Sequence, residues 1–562
     1  MKKHTLLAAV MLAACCTESL AQTLAQAYKK DTEANPILPY NLCADPTAVE
    51  YNGRLYVYGT NDQQELNTTK NKTKNTYGQI KQLVCLSTAD MVNWTFHGVI
   101  DVKGLSSWIA TSWAPSIVSR VEKDGKTHFY LYYTNTASGI GMLTATSPTG
   151  PWKDPLGHAL IDGRTPGRGE QSNIIDPGVC IDDNGDAWLT FGGGDPNRSG
   201  SKLMPGNARI VKLGKDMKSL DGAIKPIPAP FHFEANELNY INGKYVFSYS
   251  GGWSCNQGDW NNYSGKGSYG CPSNCSILSM TTDDPINGTW KYTGEILKNP
   301  GNYGYPWGNN HSHMQKFGST YYMIYHTQYL ESKYGISGGY RGIAINKVSV
   351  NENTAKITAP QMTNGGPAQI TTARPVGTEL NEAEMIANCA GITLSKMNTS
   401  TNVVADIQAG DWTMVRGMTF PEGAKSLTVR LKGKCKLEVR PNRISAAPIA
   451  TIESTNTIMH NESVDLSEVI PEGKTYTYLY FVFTETTSST VQFDRYQFSP
   501  LSLEEITPVE SVEAAGEEVV SEAFYNLHGV QLPSRPAHGL YVSKKTLKDG
   551  RQVIGRKQQA SH

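Results

Sequence analysis

The chain has 562 residues, enough for two or three domains, and its 51 basic and 51 acidic side chains cancel to a net charge of zero. That balance leaves no basic footprint for a nucleic acid. Glycine (53) and tyrosine (29) are both abundant, as in a largely β chain that uses glycine in hairpin turns and tyrosine on strand faces or sugar-stacking surfaces.

At the start, Met1-Lys2-Lys3-His4 is basic and Leu6 to Ala14 is a short apolar run. Ser19-Leu20-Ala21 then offers a small-residue cleavage site, so residues 1–21 read as a secretory signal. The run is far too short to span a bilayer. Leu12-Ala13-Ala14-Cys15 also resembles a bacterial lipoprotein signal with Cys15 lipidated. Both fates stay open, and either one predicts an exported protein in the periplasm, on the cell surface or in the medium.

From about residue 30 one unit recurs: an ionisable or aromatic residue, a strand, a tight turn and a second, apolar strand. Asp45 precedes Asn52-Gly53 and Leu55-Tyr56-Val57-Tyr58; Trp113 precedes Asp124-Gly125 and Phe129-Tyr130-Leu131-Tyr132-Tyr133. Asp176 precedes Asn184-Gly185 and Ala187-Trp188-Leu189; Glu234 precedes Asn242-Gly243 and Tyr245-Val246-Phe247. His311 precedes Gly318 and Tyr321-Tyr322-Met323-Ile324-Tyr325. No copy alone can bury both of its faces, so five copies predict a five-bladed β-propeller over residues 30–350. Asp45, Asp176, Glu234 and His311 lie seven or eight residues before their turns. Asp45, Trp113, Asp176, Glu234 and His311 are therefore expected on one ring near the axis.

Three carboxylates on such a ring carry chemistry. Cleaving a glycosidic bond takes one protonated carboxyl for the leaving oxygen and one ionised carboxylate on the opposite face. A free carboxyl titrates near pH 4, so the acid must be pushed up, and a neighbouring carboxylate does this. Glu237 is the weaker candidate for that acid, because strand alternation points it away from the face of Glu234 unless a bulge intervenes. Trp113 is a candidate wall for a sugar. His313 and His326 are assigned to the core or the surface. Cys43 reads as a buried neighbour of the site. Cys255, Cys271 and Cys275 cluster in a Gly/Asn/Ser-rich insertion, where a loop disulfide is expected in an exported protein.

Near residue 360 the texture becomes linker-like. Alternating runs such as Ser426-Leu427-Thr428-Val429-Arg430-Leu431-Lys432 then predict a β-sandwich over residues 374–500. A Glu/Val-rich spacer leads to a small β appendage over 509–562. The fold class expected is all-β throughout.

Ala44-Asp45-Pro46, Trp113-Ala114-Pro115, Ile175-Asp176-Pro177-Gly178, Phe233-Glu234-Ala235 and Asn310-His311-Ser312, in this order, resemble glycoside hydrolase family 43. The resemblance implies an inverting glycosidase acting on arabinoxylan, xylan or arabinan. It implies Asp45 as general base, Glu234 as general acid and Asp176 as the residue that orients the acid and tunes its pKa. It further implies a sugar-contacting Arg341 and a metal ion near His311; calcium would take mostly oxygen ligands, waters included. No organic cofactor is expected. Arabinofuranosidase and β-xylosidase activities stand level. An endo-acting arabinanase, a non-catalytic sugar-binding propeller and an adhesion protein are the other readings.

Residues 374–500 resemble family 6 carbohydrate-binding modules through Leu380-Asn381-Glu382-Ala383-Glu384, Gly410-Asp411-Trp412 and Phe493-Asp494-Arg495-Tyr496-Gln497-Phe498. Gln492 and Arg495 stand where that family usually has Asn and an aromatic. The tail resembles C-terminal sorting domains of type IX secretion. The expected partner is a plant polysaccharide or oligosaccharide, bound by a monomer with no transmembrane segment.

Overall fold

A computed structural model of the chain describes residues 23–169, 173–194, 202–397, 401–487, 490–506, 519–525, 531–535, 539–547 and 552–559. The signal reading of residues 1–21, with Cys15, lies outside the described residues. The described protein is all-β, and its first five sheets are antiparallel meanders in which each strand pairs with the next.

Sheet I holds β1 (Ala44–Tyr51), β2 (Arg54–Thr60), β3 (Gln82–Thr88) and β4 (Trp94–Asp101). Sheet II holds β5 (Trp113–Val121), β6 (Thr127–Asn135), β7 (Gly139–Ala145) and β8 (Ile161–Asp162). Sheet III holds β9 (Gly178–Ile181), β10 (Ala187–Phe191), β11 (Arg209–Lys212) and β12 (Lys225–Pro226). Sheet IV holds β13 (His232–Ile241), β14 (Lys244–Gly251), β15 (Ile277–Thr282) and β16 (Lys291–Leu297). Sheet V holds β17 (Ser312–Phe317), β18 (Thr320–Thr327), β19 (Gly342–Asn351) and β20 (Lys356–Thr358). The Asn-Gly pairs fix the hairpins: both residues of Asn52-Gly53 and of Asn242-Gly243 have positive φ, the backbone of a two-residue turn whose twist matches the strands it joins.

The second strand of a sheet is buried on both faces, as in Lys244–Gly251, where seven of eight residues are buried. That explains why these strands are continuous apolar runs. Each interval between sheets has its own core: Tyr58, Phe129 and Leu131 between I and II; Tyr132, Ile140 and Leu189 between II and III; Trp188, Ile210 and Phe247 between III and IV. Val246, Met323 and Tyr325 pack between IV and V, and Leu55, Val57, Ile324 and Ile343 between V and I. Truncating one such residue, Phe247→Ala for instance, would cost about 3–5 kcal/mol. The first strands also touch in a cycle: β1 with β5, β5 with β9, β9 with β13, β13 with β17, and β17 with β1.

Two further sheets face each other beyond residue 380. One carries β21 (Asn381–Glu382), β24 (Thr393–Lys396), β25 (Asn402–Ala405), β27 (Ala424–Lys432), β30 (His460–Ile470) and β32 (Gln492–Ser499). The other carries β23 (Asn388–Ala390), β26 (Trp412–Phe420), β28 (Cys435–Pro441), β29 (Ala450–Ser454) and β31 (Lys474–Thr486). Phe420, Leu427, Phe481 and Phe493 fill the space between them. The expected propeller and sandwich are consistent with this packing. β22 (Met385–Ile386) leaves the sandwich to add a fifth strand to sheet I at β4. The segment before residue 36 ties the two parts together: Trp412 donates to the Ala25 carbonyl (3.0 Å), Asn388 to Asp31 (2.8 Å) and Asn35 to the Ile345 carbonyl in β19 (2.9 Å). The tail forms a four-stranded sheet from β33 (Val519–Tyr525), β34 (Gln531–Leu532), β35 (Gly539–Leu547) and β36 (Gln552–Gln559), in the order β34-β33-β35-β36. Among the described residues no helix is long and apolar enough to cross a membrane.

The expected loop disulfide is not formed. Cys255, Cys271 and Cys275 are all free thiols, because their sulfurs settle on backbone carbonyls, those of Gly252 (3.6 Å), Cys255 (3.8 Å) and Gly308 (3.6 Å).

Candidate active site

The heads of the sheets are not plain strand starts. Asp45, Ala114, Asp176 and Ala235 all have positive φ (48°, 37°, 51° and 60°), and the pairing of β1, β5 and β13 skips residues at these points. Each is a bulge that turns the backbone just where the first strand reaches the centre. Non-glycine residues rarely adopt this conformation, and three of the four precede proline, so the surrounding packing must hold them there. The bulges alter the expected ring in detail. Asp45 and Asp176 stand on the left-handed residue itself, whereas Trp113 and Glu234 stand one residue before it. Equal distance from the turn therefore did not mean equal position.

Asp45 is the most heavily held group. Arg341 Nη1 donates to its Oδ1 (2.8 Å) and the Thr60 hydroxyl to its Oδ2 (2.8 Å). The Nδ1 atoms of His311 and His326 lie 3.5 and 3.4 Å from Oδ1. Burial alone would raise this carboxyl, but Arg341 first and His311 after it overrule burial and hold it well below the usual range. Asp45 is thus a carboxylate at any working pH. His326 is neutral, lowered by burial: its Nδ1 accepts from the Asp45 backbone N–H (3.1 Å) while Nε2 donates to the Asn309 carbonyl (2.9 Å). His311 is the reverse case. Burial would lower it, yet Asp45 first, and Asp176 after it, push it up to about 9.

Arg341 is itself pinned. Its Nε and Nη2 both donate to Asp62 at 2.9 Å, and its guanidinium lies 5.0 Å from the centre of the Tyr77 ring. Asp62 is the first residue of α1 (Asp62–Thr69), which follows β2 directly. Trp113, partly exposed, donates its indole N–H to the Tyr77 carbonyl (2.9 Å) and meets that ring edge-on. Trp113, Tyr77 and Arg341 are therefore linked in one contiguous group of side chains.

Across from this assembly, Asp176 Oδ2 accepts the Ala235 backbone N–H (2.7 Å), which fixes the bulge carrying Glu234. Asn236 clamps the same bulge by donating to the Asp176 and Gly192 carbonyls (3.0 and 2.7 Å). Glu234, partly buried and free of any ion pair among the described residues, is pushed up to about 8, by burial first and then by the charges of Asp176 and Asp45. Asp176 is raised as well, chiefly by burial. Glu237 is fully buried against His313 (3.0 Å) and so is committed to a structural pair.

Sequence reading missed His326, Thr60 and Asp62. Thr60 ends the second strand of its sheet and His326 stands one residue before the end of its own, which places them beside the head residue of the first strand. That position was a signal in the repeat itself. Asp62 had none, because it depends on how α1 folds back over the sheet. As for a metal ion, no three His, Cys, Asp or Glu side chains among the described residues come together to hold one. His311 is drawn into its pair with Asp45, so a protein-built calcium cage does not fit this donor set.

The sequence profile of the Glycosyl hydrolases family 43 matches residues 33–355, and that of the Carbohydrate binding module (family 6) matches residues 382–500. Arabinoxylan arabinofuranohydrolase of Bacillus subtilis (strain 168) is 34% identical over 516 residues, covering 87% of this chain and 97% of that protein. The protein of the same name from Paenibacillus polymyxa is 33% identical over 488 residues, covering 83% of this chain and 74% of its own. Among solved structures, a Bacillus subtilis glycoside hydrolase family 43 arabinoxylan arabinofuranohydrolase in complex with cellotetraose superposes with a TM-score of 0.76 at 33% identity. It covers 85% of this chain and 99% of that one.

Proposed function

This chain belongs to the glycosyl hydrolases of family 43, and on that premise we propose that it is an inverting glycosidase that removes arabinofuranosyl side groups from arabinoxylan. We read the five sheets as blades of one propeller, a reading supported by the cycle of first strands and the five intervening cores. The observation that carries the activity is the split between two carboxyls in one pocket: Asp45 is held low and Glu234 is raised to about 8. Near neutral pH one is ionised and the other protonated, the division of labour that glycoside cleavage requires.

In this mechanism Glu234 gives its proton to the leaving oxygen, and Asp45 takes one from a water that attacks the opposite face of the sugar. Arg341 and the protonated His311 keep the charge on Asp45. Asp176 raises the acid and, through the Ala235 N–H, sets its direction. Trp113 and Tyr77 offer an aromatic wall. A calcium ion enters this proposal only as an electrostatic neighbour of His311 with a shell mostly of water, and no step depends on it; dialysis against EDTA should leave the rate unchanged. The protein is proposed to act as an exported monomer, with the tail serving its sorting.

The decisive assay compares release of arabinose from arabinoxylan with hydrolysis of nitrophenyl arabinofuranoside and nitrophenyl xyloside. Preference for the arabinoside is expected. Preference for the xyloside would make the enzyme a β-xylosidase, and turnover of neither would return the propeller to a sugar-binding role.

A further inference from the structure

Between sheet I and the sandwich runs a trough that the mechanism does not use. Its narrower part, about 330 Å³, lies between α1 and the β24–β25 hairpin. It opens past Val99, Lys396 and Asn402 into a wider part of about 800 Å³ that ends on Trp152. The narrow part is lined by primary amides, among them Asn61, Gln63, Gln64, Gln82 and Asn402, over a floor made by Phe96.

These amides are held in place by one another and by the backbone. Asn61 donates to Gln82 (3.2 Å), Gln63 accepts from the Leu42 N–H (3.3 Å) and Gln64 accepts from the Lys81 N–H (2.7 Å). Gln63 spends its other end on Asn67 (3.0 Å) and Asn61 accepts from Asn41 (3.4 Å), whereas Gln64 and Gln82 each keep an amide NH2 without a partner among the described residues. Two buried polar atoms of the trough residues have no partner among the described residues: Asn402 Oδ1, and the indole N–H of Trp152, a side chain only 6% exposed. Gly98 makes the room beside Asn402, since a Cβ there would stand 2.8 Å from Oδ1. Of the charged residues, Lys396 and Asp101 line the trough along with His97. That is too little charge for a phosphate and too few carboxylates for a metal ion.

We propose that this trough is a second carbohydrate site, binding the backbone of a neutral polysaccharide outside the catalytic pocket. The amide NH2 groups of Gln64 and Gln82 and the amide oxygen of Asn402 offer donors and an acceptor for sugar hydroxyls, and an apolar floor suits the face of a sugar ring. The elongated shape suits several sugar units in a row. The two sites are back to back on one turn of chain: Asp62 reaches Arg341 at the catalytic pocket, while its neighbours Asn61 and Gln63 line the trough. One substrate chain held here would stay beside the enzyme between cuts. The sugar class rests on the glycosidase reading above.

The test is calorimetric titration of xylohexaose into the full chain carrying Glu234→Gln, with and without Gln64→Ala/Gln82→Ala/Asn402→Ala. Loss of three hydrogen-bonding groups should weaken binding about tenfold, or remove one of two binding events. In the otherwise wild-type chain, the triple change should slow arabinose release from arabinoxylan but leave hydrolysis of nitrophenyl arabinofuranoside unchanged. Should the triple variant fail to fold, Ser395→Trp, which fills the trough from the hairpin, must give the same pattern. An isotherm unaltered by either change overturns the site. Absence of any arabinose release from the parent chain, with an isotherm that still weakens, would overturn the glycosidase reading and leave the site standing.

Discussion

At the scale of single residues, the site works because nearly identical carboxyls sit among different neighbours. Glu234 has two carboxylates nearby and no cation in contact among the described residues, so its proton stays on until about pH 8. Glu234→Gln removes that proton while keeping shape. The rate on natural oligosaccharides should fall by about 10²–10⁴-fold, and far less on aryl glycosides whose leaving group needs no acid. The alkaline limb of the pH–rate profile should vanish in this variant; equal losses on both substrate types with the limb intact would pass the role to another group. Asp176→Asn takes a negative charge from beside Glu234, which lowers the acid's pKa. Its alkaline limb should move to lower pH, and a limb that stays or rises would contradict the tuning role. Asp45→Asn should cost about 10²–10⁴-fold with substrate affinity largely kept, as measured by steady-state kinetics on an arabinoxylan oligosaccharide.

At the scale of elements, the bulged strand heads and α1 do the positioning. A regular strand at Phe233–Asn236 could not put Glu234 in the pocket and Ala235 N–H on Asp176 together. α1 contributes by its first residue alone: Asp62 grips two guanidinium nitrogens of Arg341, which then has one left for Asp45. Removing one partner of a buried ion pair leaves the other charge uncompensated, at about 3–5 kcal/mol. Asp62→Ala should therefore lower the thermal midpoint. It should also move the acidic limb of the pH–rate profile, because Arg341 is a main support of the Asp45 charge. A variant that loses stability but keeps that limb would limit Asp62 to a structural part. The sheets themselves were legible from the repeat of turn and apolar strand. The bulges were not, since their cause is hydrogen bonding between sheets that no local pattern records.

For the whole molecule, pH couples the site to stability. His311 is raised from 6.5 to about 9, so it stabilises the fold fully below its unfolded value and loses that contribution as pH climbs through 9. Glu234, raised from 4.5 to about 8, acts in the same direction: above pH 4.5 the unfolded chain ionises first and stability falls until pH 8. Asp45, held below its ordinary 3.8, contributes above that value and is lost in acid. The thermal midpoint should be highest at roughly pH 4–4.5, decline above that as Glu234 loses its contribution, and decline more steeply from roughly 6.5 toward 8 as the loss from His311 is added. A midpoint that rises over pH 6.5–9 would contradict the protonation states given to both groups. Export has its own check: the mass of the mature protein should place its start at Gln22 or at a lipidated Cys15, and an intact Met1 in exported material would exclude both.

The sequence by itself determined the all-β class, the repeated hairpin units and the sandwich, and it marked Asp45, Asp176, Glu234 and His311 at one place in the hairpin. These follow from alternation, turn chemistry or an ionisable residue at the head of a repeat, all of which is local; Arg341 came only from the family resemblance. Strand alternation favoured Glu234 over Glu237 but left a bulge open to reverse that order. Tertiary structure decided their surroundings: sheet V brings His313 to Glu237 and sheet III brings Asp176 to the bulge of Glu234. It also decided that His326 and Asp62 belong to the site, and that three loop cysteines stay apart. Protonation state and ion pairing depend on groups hundreds of residues apart in the chain, and only the closing of one sheet on the next sets those distances.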